Sequence, residues 1–211
     1  MDQSKIFALL KAYAEYFPVG LPGYRNQFPG YAEAMAIIER KVNGLVSGER
    51  NAWTEWIESM KQMYGESVMD FSHIQYPSLK MLFKLDGQEL DGLKVERNFV
   101  VLLSLLVPYY TLHYQDTVIK SGNRSSRIAS FFYLECNNGT EKHRDIVDTC
   151  KKSLENLFPN YSCIDHYTLC RVKIEGAFPL VGDIGDFSGQ YSLYELFMDG
   201  LDTLEHVQVM K

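Results

Sequence analysis

The segment FVVLLSLLVPYYTLHYQD, residues 99–116, decides the predicted fold. Its first part, Phe99 to Val107, is dense in Val and Leu. The following part, Tyr109 to Ile119, alternates between apolar and polar residues and contains several residue types that favour β-strands. Pro108 lies between them. Proline has no N–H group to donate to a neighbouring strand, so it is found at strand ends and not inside a central strand. We therefore predict two neighbouring strands that meet at or near Pro108.

Three stripes of apolar residues at helical spacing precede this segment. Gly65, which follows the third stripe, is placed to end that helix. The members of the stripes are Ile6, Leu9, Leu10, Tyr13 and Phe17; then Met35, Ile38, Val42 and Leu45; then Trp53, Trp56, Ile57, Met60 and Tyr64. The first third of the chain is therefore predicted to be a packed helical unit, with the Trp53 and Trp56 rings in the core.

After Gly65 the pattern changes to short strands and turns. We predict strands over Leu79–Leu85, Ile128–Leu134 and His166–Ile174, with the acidic turn DGQELDG after the first of them. The segment from Tyr191 to Phe197 fits a strand or a short helix. One long helix follows Gly139, with a buried side formed by Ile146, Val147, Cys150, Leu154 and Leu157.

These elements predict an α+β fold: N-terminal helices followed by a mainly antiparallel sheet, with one long helix packed on it. We expect a single domain over residues 1–211. A subdivision into a helical unit, 1–65, and a sheet-containing unit, 66–211, stays open, because the change of pattern near Gly65 is where a boundary would fall.

Charge and composition narrow the class of partner and the compartment. The net charge is −6 and the pI is about 5.4, which disfavours a nucleic-acid-binding role because phosphate contacts need clustered Lys and Arg. We expect no membrane helix, since the apolar run from Phe99 to Tyr110 is shorter than the roughly 20 residues required. The N-terminus lacks a secretory signal pattern, so four reduced cysteines in the cytoplasm are the expectation.

The loop LVGDIGDFSG, residues 180–189, combines three glycines with Asp183 and Asp186. It contains no Lys for a phosphate-binding loop, and its glycine spacing misses the dinucleotide fingerprint. A calcium-loop register beginning at Asp186 places Tyr191 where Gly is required. A structural turn is therefore favoured over a loop that contacts a partner, and we predict no metal or cofactor.

Cys163, His166 and Cys170 have short, ligand-like spacing, and Cys150 is a conceivable fourth zinc ligand. No second paired motif supports such a site, so buried free cysteines are favoured over a zinc site or a nucleophilic cysteine. The histidines form no HExxH or similar pair, and Glu135 is more typical of a solvated strand edge than of a catalytic acid.

The C-terminal region interleaves carboxylates with aromatic rings, and such a surface can steer and anchor a basic partner. The acidic chain, the segment LLSLLVPYYTLHYQD and the closing segment GQYSLYELFMD together resemble the small immunity proteins that neutralise bacterial polymorphic toxins. The resemblance implies a non-catalytic protein that binds a cognate toxin domain and blocks its active site. The residues that we assign to partner contact are Asp183, Asp186, Tyr191, Tyr194 and Glu195.

Two other classes of function stay open. The first is an enzyme with a dispersed site that uses Cys163 or His166, which a pocket joining either residue to Asp165 or Glu135 would favour. The second is a structural subunit of a larger assembly, which a large exposed apolar patch would favour.

Overall fold

A computed structural model gives the architecture of the chain and describes residues 3–17, 28–46, 51–72, 76–120, 126–133, 141–177, 190–199 and 207–209. The helices are α1 (Gln3–Tyr16), α2 (Pro29–Val46), α3 (Ala52–Tyr64), α4 (Glu141–Leu157), α5 (His166–Arg171) and α6 (Leu193–Phe197). The strands are β1 (Val68–Asp70), β2 (Ser78–Leu90), β3 (Leu93–Ser104), β4 (Tyr109–Lys120), β5 (Ser126–Tyr133), β6 (Ser162–Cys163), β7 (Lys173–Glu175), β8 (Gln190–Ser192) and β9 (Val207–Val209). Helices precede a mainly antiparallel sheet, so the predicted α+β class is confirmed.

The sheet follows chain order over its first five strands, β1 to β5, and each neighbouring pair is antiparallel. In the described part of the chain, β9 then pairs with β5 and β6 with the start of β4, both in parallel, while β7 and β8 form a separate ribbon. Phe99 lies opposite Tyr114 in the β3–β4 ladder, which confirms the two neighbouring strands predicted around Pro108.

The central strands present two different faces, because successive side chains of a strand alternate between the sides of the sheet. We call one of them the apolar face; β2, β3 and β4 contribute to it Leu79, Met81, Phe83, Phe99, Val101, Leu103, Tyr110, Leu112 and Tyr114. We call the opposite one the polar face, which carries Ser78, Lys80, Lys84, Asn98, Ser104, Thr111, His113 and Gln115 among a few aliphatic residues. Six of these eight residues, all but Lys80 and Lys84, are buried, so both faces are covered over most of their central part.

Helices α3 and α4 cover the apolar face. The Tyr64 ring of α3 packs edge-on against Phe83, with ring centroids 5.1 Å apart. The Tyr110 hydroxyl of β4 donates a hydrogen bond to Glu155 of α4 at 3.2 Å. On the predicted third helical stripe, Trp53 and Trp56 are buried with ring centroids 5.1 Å apart, as expected for core residues.

The polar face is covered by a C-terminal unit, which we call the cap and define as residues 166–177 and 190–199, that is α5, β7, β8 and α6. Helix α1 packs on the outside of the cap, where the Phe17 and Phe197 rings meet edge to face at 5.3 Å. The Lys5 ammonium donates to the carbonyl of Cys163 at 2.8 Å, just before α5. Helix α1 and the cap therefore lie on the same side of the sheet, whereas α3 lies on the other.

Local signals explain where α3 begins and ends. The Asn51 side chain accepts from the N–H of Thr54, and the Thr54 hydroxyl accepts from the N–H of Asn51, which forms a capping box. Gly65 ends the helix with φ of 67°, and its N–H donates to the carbonyl of Lys61. The prediction that Gly65 terminates this helix is confirmed, since positive φ is accessible to glycine at little cost.

The hairpin between β2 and β3 differs from the predicted one. Strand β2 continues through Asp86-Gly87, and the turn lies at Asp91-Gly92, both with positive φ. The register shifts between Lys84 and Gly87, so two residues oppose one residue of β3 in a bulge. The first Asp-Gly pair therefore marks a bulge instead of the end of the strand.

The predicted strand over His166–Ile174 is wrong. Residues 166–171 form α5, and only Lys173–Glu175 is extended. Asp165 starts the helix, because its carboxylate accepts from the N–H and the hydroxyl of Thr168, both at 2.8 Å. The ambiguous segment Tyr191–Phe197 contains the end of β8 and all of α6, which begins at the capping residue Ser192.

Candidate functional site

The residues that we assigned to partner contact fall into three environments. Asp183 and Asp186 lie outside the described residues. Tyr191 is half-buried in β8, and Glu195 is half-buried in α6, so both reach the surface of the cap. Tyr194 is only 1% exposed and belongs to the core, where it supports the cap from beneath.

The Glu195 carboxylate also has a structural task. It accepts hydrogen bonds from the N–H and the hydroxyl of Ser192, each at 2.7 Å, while the Ser192 hydroxyl accepts from the N–H of Glu195. This reciprocal capping box starts α6. These hydrogen bonds hold the Glu195 side chain in one orientation. A partner can therefore contact only the exposed part of this carboxylate.

The interface between the polar face and the cap is built around two stacked histidines. His113 of β4 and His166 of α5 have ring centroids 3.8 Å apart and planes inclined by 19°. Each residue is 1% exposed. The Tyr194 ring of α6 packs edge-on against His166 at 4.8 Å and against His113 at 6.2 Å. One ring from the sheet and two from the cap thus share a single buried contact.

Helix α5 positions His166 from the cap side. Asp165 caps the helix immediately before His166, and Cys170 lies one turn later on the same helix face. The Cys170 sulfur is 3.5 Å from Nε2 of His166. The i, i+4 spacing of His166 and Cys170 therefore brings these two side chains together in the helix.

Both imidazoles are neutral at pH 7. Burial, with smaller contributions from His166 and from the Lys80 ammonium, holds the pKa of His113 well below its usual 6.5. Burial lowers the pKa of His166 to about 3, although the Asp165 carboxylate partly opposes this. A neutral, enclosed imidazole with such a low pKa is a weak general base at neutral pH.

A second set of contacts ties the end of the cap to β2. The Lys80 ammonium is 2.7 Å from the Asp199 carboxylate, and the two side chains are 17% and 4% exposed. The Ser78 hydroxyl donates to the carbonyl of Met198. Because Lys80 and Ser78 both belong to the polar face, β2 and β4 together hold the cap at two separate places.

The thiols are in their unreactive form. Burial raises the pKa of Cys150 and of Cys170 to about 12 each, and it raises the pKa of the half-buried Cys163. Nucleophilic attack requires the thiolate, so none of these three cysteines is activated at neutral pH. The expectation of buried free cysteines is confirmed for Cys150 and Cys170, whereas Cys136 lies outside the described residues.

The zinc-like set does not assemble. Cys163 lies in β6 beside Tyr110, while Cys170 contacts His166 under the cap. Within the described ranges, no three His, Cys, Asp or Glu side chains are grouped closely enough to hold a metal ion. Glu135 and the loop 180–189 lie outside those ranges.

A third buried histidine lies on the other side of the sheet. The bulge in β2 places Asp86 near the start of α4, where its carboxylate is 3.1 Å from Nε2 of His143. His143 is buried, but Asp86 is 56% exposed. Unlike the two stacked histidines, His143 faces a carboxylate that is exposed to water. Its substitution can therefore serve as a control for substitutions of the stacked pair.

Lys80, His113 and Asp199 are distant in the chain and adjacent in the fold, so their proximity was not predicted from the sequence. A signal was nevertheless present, because Thr111, His113 and Gln115 alternate with apolar residues along β4. Such alternation is typical of a strand with one solvated face. Here the cap covers that face, and this arrangement depends on contacts over more than 50 residues of sequence.

No helix among the described residues has the length and apolar character needed to cross a bilayer. No family model, curated protein or solved structure matches the chain. The assignment of function therefore depends on the chemistry of its own residues.

Proposed function

We propose that the chain is a non-catalytic protein-binding module of the immunity type, which binds a cognate toxin domain and neutralises it. The observation that carries the proposal is the state of the reactive groups. Two of the three described cysteines are buried and the third is half-buried, all with raised thiol pKa, and both stacked histidines are buried and neutral. The enzyme hypothesis named Cys163 or His166, and the raised pKa of Cys163 makes it a poor nucleophile while the low pKa of His166 makes it a weak general base.

The surface chemistry supports recognition of a basic protein. The chain has a net charge of −6, and the cap presents Tyr191 and Glu195 directly after the segment that contains Asp183 and Asp186. Carboxylates near an aromatic ring attract a basic partner over a distance and then supply contact area. We assign partner contact to these four residues and a supporting role inside the cap to Tyr194. We place this activity in the cytoplasm, where free thiols such as Cys150 and Cys170 stay reduced.

The test is a rescue experiment with the protein encoded by the neighbouring gene. Expression of that neighbour alone should arrest growth, and co-expression of this chain should restore growth and give a complex that co-purifies. A charge-reversed variant, D183K/D186K, should weaken the complex at least tenfold and reduce its dependence on salt. Binding is measured by titration calorimetry at two salt concentrations.

The matched control reverses two exposed acidic residues elsewhere. E58K/E66K changes the net charge by the same amount, but Glu58 and Glu66 lie on α3 and in the turn after it. This variant should bind with nearly the affinity of the unmodified chain. If both variants weakened binding equally, the effect would come from net charge, and the assignment of Asp183 and Asp186 to the contact surface would be wrong. If the chain neither bound the neighbour nor restored growth, the proposed function would be wrong.

A further inference from the structure

We propose that the stacked pair His113 and His166 is an acid-sensitive latch: acidification opens the cap away from the polar face while the apolar side of the sheet stays folded. The latch joins the cap to the sheet beside buried apolar contacts, the Lys80–Asp199 ion pair and the Ser78 hydrogen bond. Its two rings are both buried and lie 3.8 Å apart, so the contact has no room for water around a charged ring. An imidazolium at this place lacks the solvation that a charge requires.

The surroundings of the latch, taken together, increase the free-energy cost of protonating its two histidines. The charged and titratable residues that face it are Lys80 from β2, Asp165 and Cys170 with α5, Tyr194 and Glu195 from α6, and Asp199 after α6. The Lys80 ammonium repels a positive charge on His113, and each imidazolium would repel the other. Asp165 favours a charge on His166, but this attraction is smaller than the effect of burial.

The direction of the pH response follows from these shifts. In the closed protein the pKa of each histidine is below 6.5, whereas an exposed histidine in the open state has a pKa near 6.5. The open state therefore binds more protons, and it gains population as the pH falls through 6.5. Between pH 7.5 and pH 5.0, each histidine should raise the opening constant about thirtyfold, so two should raise it up to about a thousandfold.

Local opening is expected because the two sides of the sheet differ in what holds them. The cap is joined to β2 and β4 by the histidine stack, the Lys80–Asp199 ion pair and the Ser78 hydrogen bond. Apolar side chains of the cap, such as Leu193 and Leu196, are also buried in the common core, so the cap differs from the other side in having two buried imidazoles stacked at its interface. The apolar face is joined to α3 and α4 mainly by buried rings and aliphatic side chains. Its charged and titratable groups include those of the Tyr110–Glu155 hydrogen bond and the His143–Asp86 pair, and each of these contacts includes a carboxylate. Tyr191 and Glu195 lie on the cap, so acid should also weaken partner binding; that consequence rests on the proposed function, whereas the opening does not.

The test is hydrogen exchange of the full chain, followed by mass spectrometry at pH 7.5 and pH 5.0 and corrected for the intrinsic exchange rate at each pH. Peptides from residues 166–177 and 190–199 should show an opening constant at least thirtyfold larger at pH 5.0. Peptides from Phe99 to Ser104 should keep their protection. An unchanged cap, or a parallel loss of protection in β3, would overturn the latch.

Variants assign the response to the two rings. H113F/H166F retains two planar rings without a titratable group, so its cap should show less than a threefold change between the two pH values. H143F is the matched control, because it removes the third buried histidine on the opposite side of the sheet; its cap should respond like that of the unmodified chain. A response that persists in H113F/H166F, or disappears in H143F, would contradict the proposal, and the unmodified chain decides the matter if a variant does not fold.

Discussion

The two faces of one sheet are buried by different means in this protein. Strand β3 shows the contrast in two adjacent residues: Phe99 points to a layer of rings and aliphatic side chains, while Asn98 points to a layer that contains Lys80 and His113. Apolar burial is favourable without a partner, whereas each buried polar group requires a hydrogen bond or an opposite charge. The apolar face should therefore supply most of the stability, and the polar face should make the position of the cap depend on a few particular contacts.

The largest expected effect tests the apolar face. Phe99 is 1% exposed, and its ring lies 5.6 Å from the Tyr114 ring in the centre of the sheet. F99A should lower the free energy of unfolding by about 3–5 kcal/mol, because it removes buried surface and leaves a cavity. The measurement is urea-induced unfolding followed by circular dichroism at pH 7.5.

The control for this variant is F99L, which keeps most of the apolar volume. Its cost should stay below about 1.5 kcal/mol. If F99A cost no more than F99L, packing on the apolar face would not be the main source of stability, and the contrast between the two faces would fail.

The next effect in size tests the polar face. K80M removes the ammonium that lies 2.7 Å from the buried Asp199 carboxylate. Breaking a fully buried ion pair costs about 3–5 kcal/mol, and the partial exposure of Lys80 reduces this to about 2–3 kcal/mol. The same urea experiment measures the loss.

The double variant K80M/D199L sharpens this comparison. It removes both charges from the interface, so it should be more stable than K80M alone, because no isolated carboxylate then stays buried. A double variant whose cost equals the sum of the two single costs would show that the two charges do not interact energetically.

The α+β class was predictable because it depends on periodicity, which is a local property. Stripes at helical spacing predicted α1, α2 and α3, and the Val- and Leu-rich segment before Pro108 predicted the central strands. The error at α5 has a physical reason, since His166 and Cys170 share a face in a strand and also in a helix. The capping signal of Asp165 three residues before Thr168 distinguishes the two conformations.

The candidate site was less predictable because long-range contacts create it. His113 and His166 are 53 positions apart in the numbering, and Lys80 and Asp199 are separated by 119. Polar residues that alternate along β4 predict a solvated face, and only the position of the cap shows that this face is buried. Local pattern can identify such residues, but it cannot state which residues of another element lie against them.

The smallest expected effect compares the same kind of contact on the two sides of the sheet. Asn51 caps α3, which lies on the apolar face, and Ser192 caps α6, which belongs to the cap. N51A and S192A should each lower the free energy of unfolding by about 1 kcal/mol, because each removes the side-chain acceptor of a capping box. The two variants should differ in which part of the chain exchanges faster. S192A should speed hydrogen exchange at residues 190–199 under conditions where β3 stays protected, whereas N51A should not change exchange in the cap.

If exchange in the cap were equally fast in both variants, the two faces would open together. Local openings of different free energy require units that are held separately.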